Sequence, residues 1–327
     1  MRRVGRRVGL SHTRDLGLDS SYGTASVGGA ALLGSAHAGF RSASARLRYL
    51  DLYEELRALS PLADAMHDVA TKFGTVRVYR HGPAGRVPIV LLHGYILTSA
   101  MWARQVAGLA GDFTVYTIDM PGQPGASMQS KSMRTPADCA RCIDDVLTGL
   151  GLQDVHLVGH SYGGWLATHT AARFPQRLAT MTLIDPASTV ARISAKFWTS
   201  LVIVTSWPRS ARAERAAAWV TGGPELGSFV DQLAGLFLAG FAAFAPPLGT
   251  PTPLFVSARV LRSVSIPSQV LLAGHTVHDS SKGLQRIHAV VPDWEYQLWP
   301  GTSHALPIEL PDEVNASIRR FAIERRS

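Results

Sequence analysis

Cysteine is nearly absent: the 327 residues hold two, Cys139 and Cys142. One pair cannot build the dense disulfide framework of a small secreted domain, and nothing else in the chain calls for an oxidising compartment. Their Cys-x-x-Cys spacing is that of half a zinc or redox site, but no second pair follows. Both lie in Pro136-Ala-Asp-Cys-Ala-Arg-Cys-Ile-Asp-Asp-Val-Leu, which has helical periodicity, so they read as small core side chains. Charge is also sparse, at 17% of residues. The formal net charge of +8 is largely a property of the first fourteen residues, where Arg2, Arg3, Arg6, Arg7 and Arg14 sit. Without those five arginines about +3 remains, and no stripe of Lys/Arg interleaved with aromatics appears elsewhere, which argues against nucleic acid as a partner. Long apolar runs are missing as well. Phe197 to Trp207 is too short to span a bilayer and is bracketed by Lys196 and Arg209, so no integral membrane segment is expected. No internal repeat is visible.

What is present suits a large core: 46% of the residues are hydrophobic, enough for one sizeable domain with an insertion. Residues 1–43 read as a leader, disordered or with a misassigned start. An Ala/Gly/Leu stretch ends in the cleavage-like Ser35-Ala36-His37-Ala38, but the polar segment Ser11 to Ser20 separates it from the arginines, where a secretion signal would join them directly. The expected location is therefore cytoplasmic.

Beyond the leader, Ala45 to Leu59 carries Leu47, Leu50, Leu52, Leu56 and Leu59 among charges and predicts an amphipathic helix ending at Ser60-Pro61. Thr75-Val-Arg-Val-Tyr alternates as a half-exposed strand does. Val87 to Leu92 is a continuous apolar run, the mark of a strand buried on both faces, and similar runs recur at Phe113–Ile118, Val155–Val158, Met181–Ile184 and Gln269–Ala273, with a last strand at Glu295–Trp299. Helical stretches separate most of them: Met101–Ala110, Pro136–Leu150, Tyr162–Phe174 and finally Pro311–Ile323. Alternation of this kind predicts an α/β fold, a mainly parallel central sheet with helices on both faces. From Ala187 to Arg262 the rhythm breaks into Ala-rich and aromatic helical material. The expected organisation is a core of residues 44–186 and 263–327 with an inserted helical cap at 187–262.

Three loops carry chemistry. In Leu157-Val-Gly-His-Ser-Tyr-Gly-Gly-Trp, Ser161 falls where a buried strand ends and a helix begins, and Gly159 and Gly163 leave room for a sharp turn. The helix behind it aims N–H groups and its positive dipole end at the site. In Leu91-Leu-His93-Gly94-Tyr95, a strand-end loop can offer a backbone N–H, so the N–H groups of Tyr95 and Tyr162 are assigned to an oxyanion hole. In Pro300-Gly-Thr-Ser-His304-Ala-Leu-Pro, a histidine follows the last strand, which suits a general base for a Ser161 nucleophile.

With these motifs, from about residue 44 onward, the chain resembles the α/β-hydrolase superfamily, and within it bacterial carboxylesterase-like serine hydrolases. The resemblance extends to Phe73-Gly74 and the loop Asp119-Met-Pro-Gly-Gln-Pro-Gly125. It implies hydrolysis of a carboxylic ester or related acyl compound through an acyl-enzyme, with no metal or organic cofactor and a small, apolar acyl substrate. The acid departs from the family pattern, because the usual place, three residues after Gly274, holds Val277. Asp185, at the end of the strand after the nucleophile's helix, is the first candidate. Asp279 is the alternative, with helix capping near Ser280 as its structural reading. Trp198, Trp207, Trp219, Phe237, Phe241 and Phe244 are candidates to line an apolar pocket or to form the core of the cap. The motifs specify chemistry and not substrate. A thioesterase, lactonase, C–C hydrolase or cofactor-free haloperoxidase shares them, as does a hydrolase-fold ligand-binding protein, and the oligomeric state stays open.

Overall fold

The computed structural model describes residues 39–207, 210–221, 226–244 and 249–325. The expected leader, up to residue 38, lies outside the described residues, as do Arg209, Gly222-Gly223-Pro224 and Pro246-Pro247. The strands are β1 (Ala65–Thr71), β2 (Gly74–His81), β3 (Pro88–Leu92), β4 (Thr114–Ile118), β5 (Met128–Gln129), β6 (Val155–His160), β7 (Leu178–Ile184), β8 (Ser268–His275) and β9 (Glu295–Ser303). They form one sheet in the order β1-β2-β4-β3-β6-β7-β8-β9, with β5 paired to β2. Pairing is parallel from β4 to β9 and antiparallel at the β1–β2–β4 edge. β1 has no counterpart in the sequence reading. Only Val69 of its seven residues is buried, so it lacks an apolar run, and it is held by its antiparallel register with β2 across the Lys72-Phe73 turn.

Helices cover both faces. They are α1 (Ala43–Arg57), α2 (Ala103–Leu109), α3 (Pro136–Gly149), α4 (Tyr162–Ala171), α5 (Ala195–Ser206), α6 (Ala211–Thr221), α7 (Ser228–Ala243), α8 (Ala258–Arg262), α9 (Ser280–Val290), α10 (Leu306–Glu309) and α11 (Pro311–Glu324). The period of two along β3 divides the core: Ile89 and Leu91 join the cluster containing Val106 of α2 and Ile318 of α11, while Val90 and Leu92 join that of Ile143 in α3, Trp165 in α4 and Ile287 in α9. Cys139 and Cys142 pack in this second cluster as free thiols, and burial pushes both up to about 12, so they stay neutral. No helix among the described residues is long and apolar enough to cross a membrane.

α1 forms, but its buried face is not the leucine face. Tyr49, Tyr53 and Leu56 are buried, whereas Leu47, Leu52 and Leu59 are exposed. The i, i+4, i+7 spacing of the buried three is as helical as that of the leucines. The Tyr53 hydroxyl also donates to Asp119 Oδ2 at 2.8 Å, a buried charge-assisted bond that orients the helix. Between β7 and β8 the chain is helical only from Ala195. α5, α6 and α7 contribute Val204, Ala217 and Phe237 to the first core cluster, while the stretch around Val256 and Leu261 packs with the second.

Candidate active site

β3 and β6 are neighbours, yet β3 leads to β4 on one side of itself and β6 leads to β7 on the other. Loops leaving two such strands diverge and open a crevice at the carboxyl ends, which is where ligands bind in open α/β sheets. Ser161 stands in that crevice at the end of β6 with φ 52° and ψ −114°, a left-handed-side conformation that costs a non-glycine residue about 1–2 kcal/mol. Close approach makes the turn possible. A Cβ on Gly159 would lie 2.2 Å from the Gly163 carbonyl oxygen, and one on Gly163 would lie 2.0 Å from that of Leu92. Ser161 precedes α4 but makes no capping hydrogen bond, so its hydroxyl is left for other work.

That hydroxyl lies 2.8 Å from His304 Nε2. On the far side of the ring, His304 Nδ1 donates to Asp185 Oδ2. Ser161, His304 and Asp185 thus form a continuous file, with Asp185 wholly buried and His304 and Ser161 nearly so. Asp185 Oδ2 also accepts from Thr276 Oγ1, which is 3.1 Å from His304 Nδ1. Burial disfavours the Asp185 charge, but His278 and His304 outweigh it and hold the carboxyl well below the usual range. Asp279 is not brought to the site. It caps α9, accepting from Lys282 N at 3.1 Å, and is half exposed beside the Lys282 ammonium.

Gly94 and Tyr95, after β3, border the same crevice, and the Gly94 α-carbon faces the Ser161 side chain: a Cβ there would lie 3.6 Å from that of Ser161. Gln123 Oε1 accepts from Ile96 N at 2.8 Å and so holds this loop in place. The Tyr162 hydroxyl is engaged away from the crevice by Thr250 and Pro251, while its N–H opens α4, where no intrahelical acceptor exists. His160 donates from Nε2 to the His304 carbonyl at 2.8 Å and anchors the loop that carries it. Burial, then the neighbouring His304, pulls His160 down to about 3, so it is neutral at working pH.

A narrow apolar pocket leads from Ser161 and His304 between α5, α6 and α7. Phe197, Leu201, Val204, Ala216, Phe237 and Phe241 line it. Of the six aromatic candidates, Phe237 and Phe241 reach it. Phe244 packs edge-to-face with Phe40, Trp198 and Trp207 are exposed, and Trp219 lies against Phe197 and Lys196. Gln123 lies in the Asp119–Gly125 loop that the sequence singled out without giving it a role, and Thr276 and His278 had no motif to single them out. Among the described residues no group of three or more His, Cys, Asp or Glu side chains is arranged to hold a metal ion.

The model of the alpha/beta hydrolase family matches residues 89–317, which contain every side chain of this file. The chain belongs to the alpha/beta hydrolase family. This alpha/beta hydrolase is 28% identical over 279 residues to an uncharacterised carboxylesterase, nap, of Bacillus subtilis strain 168, covering 84% of the chain and 92% of that relative. It is 26% identical to carboxylesterase YbfK of the same strain, over 86% of the chain and 96% of the relative. Among solved structures, naproxen esterase (carboxylesterase NP) of Bacillus subtilis superposes with a TM-score of 0.77 at 28% identity, covering 84% of this chain and 97% of that one.

Proposed function

We propose that this alpha/beta hydrolase is a carboxylesterase that cleaves small esters with an apolar acyl group through an acyl-enzyme on Ser161. The observation that carries the reading is the hydrogen-bonded file from Ser161 Oγ through His304 to Asp185. Its bond to Asp185 keeps the proton on His304 Nδ1, so Nε2 is the free acceptor. His304 takes the Ser161 proton as Oγ attacks the ester carbon, and the oxyanion that develops is met by the N–H groups of Tyr95 and Tyr162. The imidazolium, stabilised by Asp185, returns its proton to the departing alcohol. Water then repeats the sequence on the acyl-enzyme, and the carboxylic acid leaves. The named activities of relatives matching over most of the chain support ester hydrolysis as the overall reaction.

A fluorophosphonate probe is expected to label the wild type and leave Ser161→Ala unlabelled, read by intact-protein mass. Equal labelling of both would overturn the nucleophile assignment. The pocket walls give a second test. Ala216→Phe places a ring in the space lined by Val204 and Phe241. It is expected to lower kcat/KM for an octanoate ester at least about tenfold while an acetate ester stays within about threefold. An equal loss on both esters would remove the acyl chain from this pocket.

A further inference from the structure

Asp185 faces a second imidazole that the proposed reaction does not use. His278 Nε2 lies 3.3 Å from Asp185 Oδ1, opposite the oxygen that serves His304, and neither side chain is exposed to solvent. The approach is within ion-pair distance but off the line of a hydrogen bond, and His278 Nδ1 has no hydrogen-bond partner among the described residues. Oδ1 also accepts from Ala273 N–H at 3.3 Å. His278 arrives on the loop after β8, beside Val277 and two residues beyond Thr276. Its backbone is pinned by bridging to Ile193. The loop that lacks the usual carboxylate thus turns a hydroxyl and an imidazole onto a carboxylate supplied by the neighbouring strand.

We propose that His278 is a positioning residue for the hydrolytic site, holding Asp185 Oδ1 so that Oδ2 stays aligned on His304 and competing with His304 for the charge of the same carboxylate. The inference rests on the Ser161–His304–Asp185 reading. One buried carboxylate can stabilise one imidazolium well. A second would meet its positive neighbour at close range in the buried core, so the two rings compete for one charge. Shared between two rings, Asp185 stabilises a positive charge on His304 less than it would if it faced His304 alone. Other titratable groups facing the pair are few. His160 touches the His304 side and is held neutral, Asp279 points to solvent on α9, and Arg192, next to Ile193, stacks on Phe255.

The test uses the full-length enzyme and two variants. His278→Gln keeps an amide donor and loses the titrating ring, while His278→Phe loses both. The acid limb of kcat/KM for His278→Gln is expected to move up by about half to one pH unit, because Asp185 then serves His304 alone and favours its charged, inactive form. kcat for His278→Gln is expected within about threefold of wild type and for His278→Phe about tenfold lower, with KM little changed in both. An acid limb superimposed on that of the wild type overturns the proposal, as does undiminished kcat in a folded His278→Phe. Should His278→Phe fail to fold, the pH profile of His278→Gln decides alone. Asp185→Asn assayed in parallel separates the two readings. Loss of activity there with an unmoved His278→Gln profile sinks this inference only, whereas full activity in Asp185→Asn sinks the triad beneath it.

Discussion

His304→Ala is expected to lower kcat for ester hydrolysis by about 10⁴-fold or more with KM changed only a few-fold, since a triad base contributes almost wholly in the transition state. The expectation follows from the lack of a substitute. His160 has its ring centre 4.9 Å from that of His304, but burial keeps it neutral and its Nε2–H is committed to the His304 carbonyl. His93 is equally unavailable, because its Nε2 accepts from Met120 N and its Nδ1 donates to the Gly94 carbonyl. Steady-state kinetics on a short aryl ester would measure the loss. A variant within tenfold of wild type would show that another group activates Ser161. The variant should fold, because the loop holding residue 304 keeps its backbone bond to His160.

The second large effect concerns the carboxylate. Asp185→Asn is expected to cost about 10³–10⁴ in kcat, because an amide cannot stabilise the imidazolium and permits the wrong tautomer of His304. Asp279→Asn is expected to stay within about twofold, since asparagine caps a helix as well as aspartate does and the side chain points away from the site. Assayed on one ester, the pair of variants forms its own control. Equal activity of both would remove the acid from both positions, and a reversed order would place it on the loop after β8.

Much of this site was legible from order along the chain. Buried parallel strands announce themselves as apolar runs, and four strand ends each carry one part of the candidate site: Gly94-Tyr95 after β3, Ser161 after β6, Asp185 after β7 and His304 after β9. Ser161 and His304 could be read because tight turns restrict which residues fit. The acid was ambiguous because two carboxylates with similar local surroundings differ only in where their strands lie, and strand adjacency is a property of the whole sheet. Asp279 was read both as an acid and as a cap, and the cap is what α9 makes of it. β1 and the tyrosine face of α1 were missed for a related reason. The first is stabilised by pairing with β2, and the second by a hydroxyl reaching Asp119, 66 positions away. Thr276 and His278 flank a valine in a loop whose chemistry comes from a carboxylate on another strand, so no local pattern marks them.

The backbone of Ser161 has a consequence for descent. Glycine occupies its φ of 52° freely and serine does not, so the residue that would relax this turn would also remove the hydroxyl on which the proposed acyl-enzyme depends. The pocket walls on α5, α6 and α7 would be untouched by that exchange. Under the proposed mechanism a single replacement would exchange turnover for a more relaxed turn, so selection at position 161 would have to act through turnover, because stability alone favours the loss.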